Sequence, residues 1–282
     1  MNDLTVLSSY HIQPLLEAKL LGKRSVVIST DLGLSDCEIY IEAEYVRLPN
    51  DVFLSWEQIQ EVSEAESSCF IVKDESIQKI KAYSPITNQH YSLYPTALAP
   101  TFLLSGLPMH RIKDIDPHQD TLNKINVIKP VIGRVLDTAT GLGYTAIEAA
   151  RTAEHVLTIE LDPTVLDIAK LNPWSQNLFN NPKITQVIGD SYEKIREYDN
   201  RSFTRIIHDP PMFRLAGDLY SWSFYKELAR VITNNGKLFH YIGDLNSTTG
   251  RRVAKGVSER LREAGFRTIK NCYTAFGLVA SK

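Results

Sequence analysis

The chain has 282 residues, with 31 basic and 33 acidic side chains, a net charge of −2 and 43% hydrophobic residues. That length suits one large α/β domain or two, and the ordinary hydrophobic fraction excludes a fibrous repeat or a disordered tail. There is no apolar run of the ~18 residues a membrane helix needs, and the start MNDLTVLSSYHIQPLLEAKLLGKR lacks the layout of a signal peptide. Cys37, Cys69 and Cys272 are odd in number and far apart, forming neither a disulfide framework nor a CxxC metal site. The expectation is a cytoplasmic protein with no membrane segment and no metal, its thiols packed in the core.

The charge is unevenly spread. Residues 1–125 hold 10 Lys/Arg against 17 Asp/Glu, a balance of −7, whereas residues 126–282 hold 21 against 16, a balance of +5. Such an asymmetry suggests two regions with different partners, although solvated surfaces alone can produce it.

The first part reads as β-rich. Short β-branched or aromatic runs predict strands at Ser25–Thr30, Glu38–Val46, Cys69–Lys73, Ile80–Tyr83 and Tyr91–Tyr94. Turn-formers separate them at Leu32-Gly33-Leu34, Leu48-Pro49-Asn50-Asp51 and Ser84-Pro85. Helices are expected near Gln13–Leu21 and over Ser55–Val62, the second opened by a capping box of Ser55 with Gln58.

From about residue 126, strand-like runs alternate with amphipathic segments of helix length, the pattern of a mostly parallel sheet covered on both faces. Strands are predicted at Gly133–Thr138, His155–Leu161, Ile184–Gly189, Arg205–His208, Lys237–Ile242, Thr268–Thr274 and Phe276–Ala280. Helices are predicted near Tyr144–Ala153, Pro163–Lys170, Tyr192–Tyr198, Leu219–Ile232 and Arg251–Ala264. Only Ala275 separates the last two strands, too little for a crossover, so they must form an antiparallel hairpin at the sheet edge. The predicted domains are a β-rich region over 1–108, a connector over 109–125 and a cofactor-binding α/β domain over 126–282.

Four chemical features fall at four successive strand ends. The segment Asp137-Thr138-Ala139-Thr140-Gly141-Leu142-Gly143-Tyr144-Thr145 turns the first strand into the first helix, with Gly141 and Gly143 allowing close backbone approach to a ligand and the helix start offering N–H groups. Glu160, with Leu161 after it, ends the second strand 23 residues beyond Asp137, where a carboxylate can accept both hydroxyls of a ribose. Asp190, between Gly189 and Ser191, ends the third strand, placed to accept from an adenine amine. His208-Asp209-Pro210-Pro211-Met212-Phe213 ends the fourth. Open α/β sheets bind ligands along this edge. Taken singly, Glu160 or Asp190 can equally be a helix cap.

With these residues, 126–282 resembles a class I S-adenosylmethionine-dependent methyltransferase, which implies a Rossmann-like seven-stranded sheet with a C-terminal antiparallel hairpin. The resemblance implies that Asp137 to Gly143 hold the methionine end as the glycine loop, Glu160 the ribose and Asp190 the adenine, with Tyr144, Thr145, Leu161, Gly189 and Ser191 also binding the cofactor. One departure is Ala139, where the family has its first loop glycine. The stretches Ser105–Pro117, Leu136–Ala150 and His208–Leu228 are similar to a family of predicted archaeal-type methyltransferases without a settled substrate, which covers nearly the whole chain. Asp209-Pro-Pro-Met-Phe213 is similar to the motif of enzymes that methylate planar nitrogens. It implies that Asp209 and the carbonyl of Pro210 orient the nitrogen and that Phe213 packs on the acceptor, unless the prolines only stop the strand and Phe213 is core.

His208 and His240 are candidates for a general base or a substrate donor, against the plainer reading of packed histidines. The group Met109-His110-Arg111 with Asp114, Asp116, His118 and Asp120 matches no standard ligand spacing; the better reading lets His110 and Arg111 meet cofactor or substrate from a connector over the pocket. No cysteine follows strand four or five, which argues against 5-methylcytosine chemistry. The helix near Arg251–Ala264 carries Arg251, Arg252, Lys255, Arg260 and Arg262, interrupted by Glu259 and Glu263. It is either a phosphate-contacting face or a solvated amphipathic helix.

The reading is a methyltransferase using S-adenosylmethionine, acting on a nitrogen of a nucleic-acid base or similar planar amine, with RNA as a candidate partner. The alternatives are a small-molecule methyltransferase or polyamine aminopropyltransferase of the same fold, and a cofactor-binding protein without catalysis. A nicotinamide dehydrogenase fits less well, because the loop is not G-x-G-x-x-G. Oligomeric state stays open.

Overall fold

The structure is a computed structural model and describes residues 4–213 and 215–282; Arg214, within the quoted stretch from His208 to Leu228, lies outside the described residues. The chain divides into two compact units, one of Met1–His118 with Thr164–Gln176, the other of Gln119–Pro163 with Asn177–Lys282. No helix among the described residues is long and apolar enough to cross a membrane.

The first unit is built on antiparallel sheets. Its elements run β1 (Val6–Leu7), α1 (Ser9–Leu20), β2 (Ser25–Ile28), β3 (Cys37–Ile41), β4 (Tyr45–Leu48), β5 (Val52–Ser55), α2 (Trp56–Glu64), β6 (Phe70–Lys73), β7 (Ser76–Lys79), β8 (Lys81–Ser84), β9 (Gln89–Tyr94), β10 (Thr101–Leu104) and β11 (Leu107–Pro108). They form sheets of order β2-β3-β4-β5, β1-β6-β7 and β11-β10-β9-β8. Leu7, Ile12, Leu15, Ile39, Val46, Leu54, Ile59 and Phe70 make a buried core where α1 and α2 cover strand faces.

Two predictions are corrected here. The run Glu38–Val46 is a hairpin rather than one strand: β3 and β4 pair Ile41 with Val46, and the amide of Glu42 donates to the carbonyl of Tyr45 at 3.0 Å. Alternation continues through both arms, and the turn contains neither Gly nor Pro, so periodicity alone does not reveal it. Helix α1 starts at Ser9, before the predicted Gln13, and runs through Pro14. The α2 capping box is present as read, with the amide of Ser55 donating to Gln58 Oε1 at 2.8 Å and the amide of Gln58 donating to Ser55 Oγ at 3.3 Å.

The second unit opens with α3 (Pro117–Asn126), absent from the sequence reading, whose residues from Gln119 onward belong to this unit. There follow β12 (Arg134–Asp137), α4 (Tyr144–Ala150), β13 (His155–Glu160), α5 (Pro163–Lys170), α6 (Gln176–Asn180), β14 (Ile184–Ile188), α7 (Ser191–Lys194), β15 (Phe203–His208), α8 (Trp222–Val231), β16 (Ile232–Tyr241), α9 (Thr248–Glu263), β17 (Thr268–Cys272) and β18 (Gly277–Ser281). Of these, α5 after its first residue, with the turn to Gln176, falls in the first unit. The seven strands pair in the order β14-β13-β12-β15-β16-β18-β17, parallel from β14 through β16, with β18 antiparallel to both its neighbours. The predicted mixed sheet with a terminal hairpin is therefore present.

Helix boundaries move where a side chain caps them. Helix α8 begins at Trp222 rather than Leu219, because Ser221 Oγ accepts the amide of Phe224 at 3.2 Å. Helix α9 begins at Thr248, capped by Ser247 Oγ on the amide of Gly250 at 2.9 Å. The core under α8 and α9 includes Phe203, Ile206, Phe224, Tyr225, Leu228, Leu238, Val257 and Leu261.

Candidate functional site

The strand order reverses at β12, between β13 on one side and β15 on the other, which opens a crevice at the carboxyl ends of the strands. Positive φ in the β12–α4 turn falls on Gly141 (φ +53°) and Gly143 (φ +78°), not on Ala139, which explains why alanine is accommodated at the departing position. A Cβ on Gly143 would lie 2.7 Å from Leu178 Cδ2.

The acidic groups of the turn are anchored. Asp137 is fully buried, its Oδ2 accepting the hydroxyl of Thr145 at 2.7 Å and its Oδ1 lying 3.4 Å from the amide of Ala139. Burial pushes its carboxyl up to about 7. Glu160 Oε2 accepts the amide of Gly141 at 2.9 Å, and Oε1 the amide of Asp162 at 3.1 Å. Burial raises Glu160 to about 7 as well. Thr158 also bonds the Asp137 carboxyl, and the amide of Leu161 that of Glu160. Thr140 Oγ1 shares a hydrogen with Thr158 Oγ1 at 2.7 Å, and Ser191 Oγ donates to the carbonyl of Thr138 at 2.6 Å. Asp137, Thr138, Thr140, Gly143, Tyr144, Thr145 and Ser191 are all buried behind the turn, whereas Ala139, Gly141, Glu160 and Gly189 stay partly accessible.

Asp190 does cap a helix: its Oδ1 accepts the amide of Tyr192 at 2.8 Å, and the residue is exposed. Beside Glu160 and Asp190 stand two exposed apolar side chains, Leu161 (53% exposed) and Ile188 (46%). Two carboxylates that can accept from hydroxyl and amine hydrogens, interleaved with two aliphatic side chains, suit the ribose and flat ring of an adenosine.

Beyond β15, Asp209 is half-buried and Pro210 buried, while Met212, Phe213 and Leu215 are exposed, Phe213 by 59%. Phe213 is therefore not core; it meets Tyr220 edge-on with centroids 5.5 Å apart. The hydroxyl of Tyr220 donates to the carbonyl of Pro211 at 3.2 Å and so ties down the proline turn.

His208 is corrected. It is fully buried, its Nε2 is 2.9 Å from the carbonyl of Leu219 and its Nδ1 2.7 Å from Thr138 Oγ1. A carbonyl only accepts, so Nε2 carries the hydrogen and Nδ1 receives the threonine hydroxyl. Burial lowers its pKa to about 3, and neither nitrogen is left to take a proton from an acceptor. His240 is equally buried, its ring tilted against that of His208 with centroids 4.3 Å apart, and its Nε2 is 2.9 Å from Tyr225 Oη. Both histidines are core residues under the site. His110 and Arg111 belong to the first unit, where His110 Nδ1 is 2.9 Å from Thr101 Oγ1.

The group that the sequence reading missed is Lys124 of α3. Its ammonium lies 2.6 Å from Asp209 Oδ2 and 2.8 Å from Asp120 Oδ2, with side-chain exposures of only 2% for Lys124 and 0% for Asp120. It also sits 4.9 Å from the centroid of Tyr241. Burial acts to raise the Asp209 carboxyl while Lys124 pulls it down, and burial prevails. The two carboxylates hold the Lys124 ammonium firmly protonated. Among the described residues, no three His, Cys, Asp or Glu side chains are arranged to hold a metal ion.

Known proteins match this architecture. The family model "Conserved hypothetical protein 95" matches residues 107–238. The chain is 40% identical over 286 aligned positions to the uncharacterized protein MJ1233 of Methanocaldococcus jannaschii, covering 98% of this chain and 97% of that one. The chain belongs to the family of that archaeal protein. A polyamine aminopropyltransferase of Sulfurisphaera tokodaii is 34% identical over 35% of each chain, and putrescine N-methyltransferase 2 of Nicotiana tabacum 29% identical over 36% of this chain and 30% of that one. A crystal structure of spermidine synthase in complex with the transition-state analogue AdoDATO superposes with a TM-score of 0.58 at 19% identity, covering 71% of each chain. The fold is thus that of the class I S-adenosylmethionine methyltransferases and their relatives.

Proposed function

We propose that this protein is an S-adenosylmethionine-dependent methyltransferase whose acceptor is the nitrogen of a small cationic amine. The observation that carries the reading is the row of accessible carboxylates along one sheet edge, Glu160, Asp190 and Asp209 at three strand ends, the last of them paired with Lys124. Such an edge favours a cation and disfavours a polyanion. The partial matches to enzymes acting on polyamines and on putrescine support the same acceptor class.

S-adenosylmethionine fits the crevice residues: Glu160 for the ribose, Leu161 and Ile188 against the adenine, Asp190 at its edge, and Ala139 to Gly141 beside the methionine end. When bound it supplies a carbon activated by a sulfonium. The protein's task is then chiefly alignment, worth up to ~7–11 kcal/mol in favourable systems. The reacting nitrogen must first lose a proton, which the Asp209 carboxylate is at hand to take; a remaining N–H of the neutral amine is then held toward Asp209, and the freed lone pair points away from it. The turn of Pro210 and Pro211, held by Tyr220, sets where that carboxylate stands.

Two observations favour other readings of the same site. The stronger partial match is to an aminopropyltransferase, which supports transfer of an aminopropyl group. The exposed Phe213 after Asp209-Pro-Pro supports a planar acceptor such as a base in RNA. Incubating the protein with tritiated-methyl S-adenosylmethionine, or with labelled decarboxylated S-adenosylmethionine, against spermidine, putrescine and tRNA separates them. Label from the methyl donor in the amine fraction is the expected result. Label in tRNA, or transfer only from the decarboxylated donor, overturns it.

A further inference from the structure

We propose that Lys124 is a positioning residue for the transfer, clamping Oδ2 of Asp209 so that Oδ1 is the oxygen presented to the acceptor. The proposal rests on the reading of Asp209 as the acceptor's anchor and names the residue that makes that anchor usable.

An ammonium this deep needs a reason. A buried ion pair is weak as a stabiliser, because the desolvation of two charges offsets their attraction, and apolar side chains of similar volume commonly do as well. Lys124 is nevertheless held by two carboxylates, one on its own helix four residues back and one 85 residues away at the end of β15. Asp120 and Lys124 thus form a prepared pair on α3, and Asp209 is the third member, delivered by the sheet. Asp209 is the partly accessible one, with a side-chain exposure of 18%.

The surroundings show what the clamp does. Asp209 is faced by Asp120 and Lys124 from α3, by Asp137 from β12, by the Tyr220 phenol from the turn before α8, and by Tyr241 on the far side of the ammonium. The uncharged His208 precedes it. Apart from Lys124, every titratable group in that list either repels a carboxylate or is neutral. Without the ammonium, Asp209 would share a dry site with Asp120 and Asp137, and close carboxylates hold protons in common. A protonated Asp209 loses both its charge for a cationic acceptor and its fixed lone pairs. Because Oδ2 faces Lys124, the geometry also chooses which oxygen is left.

The test reads Asp209 directly and needs no substrate. The 13C resonance of its carboxyl, assigned by its loss in Asp209→Asn, is titrated in the wild-type protein, in Lys124→Met and in Asp120→Asn. Lys124→Met is expected to move the titration up by at least about one pH unit, and Lys124→Arg to bring it back. Asp120→Asn keeps a hydrogen-bonding partner for the lysine while removing a repelling charge, so it is expected to move the titration down. That second variant decides the matter if Lys124→Met does not fold. Titrations within 0.3 of a pH unit in every folded variant overturn the proposal. With spermidine as the probe acceptor, kcat/KM of Lys124→Met is expected to fall about 100-fold at pH 7 and recover in part at pH 9, while calorimetry finds the S-adenosylmethionine Kd changed less than threefold. If spermidine is not a substrate of the wild-type protein, the amine reading fails while the titrations still decide the role of Lys124.

Discussion

Thr138 gives its hydroxyl hydrogen to Nδ1 of His208 at 2.7 Å, joining the start of the glycine turn to the residue just before Asp209. The far side of the imidazole is fixed by the carbonyl of Leu219. The two strand ends that flank the centre of the crevice are therefore braced by one neutral ring. Its pKa of about 3 lies below that of the unfolded chain, so the contribution of His208 to stability is full above pH ~6.5 and is lost as pH falls toward 3. Burial also depresses the buried His240, which adds in the same direction. Asp137 and Glu160 run the other way: raised to about 7, they favour the fold below pH ~4 and lose that contribution as pH rises through 7. In thermal melts, His208→Gln is expected to lower Tm at pH 7 and to flatten the fall between pH 6.5 and 4, by on the order of 3 kcal/mol across that window. A variant whose acid limb parallels the wild type would show that the imidazole is not the group that titrates.

Glu160 makes the cofactor question answerable through pH. Its carboxyl must ionise to serve as a strong acceptor for ribose hydroxyls, and it does so near 7. The affinity for S-adenosylmethionine, measured by calorimetry, is expected to rise between pH 6 and 8. In Glu160→Gln it should be weaker by about tenfold or more at pH 8 and flat across the range, since hydrogen bonds to a charged acceptor contribute about 1.5–3 kcal/mol. Equal pH dependence in both proteins would take Glu160 out of the binding set.

Gly143 has two reasons to stay glycine. Its φ of +78° disfavours a side chain, and a Cβ would press on Leu178 at 2.7 Å. Gly143→Ala is expected to cost about 1–2 kcal/mol, read as a drop in denaturation midpoint. Adding Leu178→Ala should relieve the crowding but not the backbone term. Full recovery in the double variant would locate the whole cost in packing.

Phe213 discriminates between acceptors without disturbing the fold. It is 59% exposed, so Phe213→Ala should change stability by less than ~0.5 kcal/mol. For an aliphatic amine, KM is expected to change less than threefold. For a planar base stacked on the ring, the loss is expected to be tenfold or more, in keeping with about 1–3 kcal/mol for base stacking on an aromatic side chain.

Much of this was legible in the residues because strand ends announce themselves. Asp137, Glu160, Asp190 and Asp209 each close a β-branched run, and the Phe276–Ala280 segment could only be a hairpin arm, which the antiparallel pairing of β17 and β18 bears out. The hairpin inside Glu38–Val46 was illegible because the turn between β3 and β4 lacks the usual residues. Lys124 was illegible for a deeper reason. An Asp and a Lys four apart read as a solvated helix pair, and nothing local says that this face turns inward. The signal was Ile125 and Ile128 beside it, both buried. The second partner of Lys124, Asp209, is 85 residues away, and only the assembled sheet brings it there.

The first unit is not contiguous in the chain. Its last portion, Thr164–Gln176, follows the strand that ends in Glu160, and within it the indole of Trp174 donates to the carbonyl of Leu32 at 2.9 Å. The polypeptide therefore passes from one unit to the other three times. Beads joined on a string arise by fusing one gene behind another, and they come apart at a single cut. Here no single cut separates the units: residues 1–118 expressed alone would be left without Trp174, and residues 119–282 alone would carry an orphaned insertion directly after the strand that presents Glu160. The first unit is completed only by a stretch of chain that the second unit delivers.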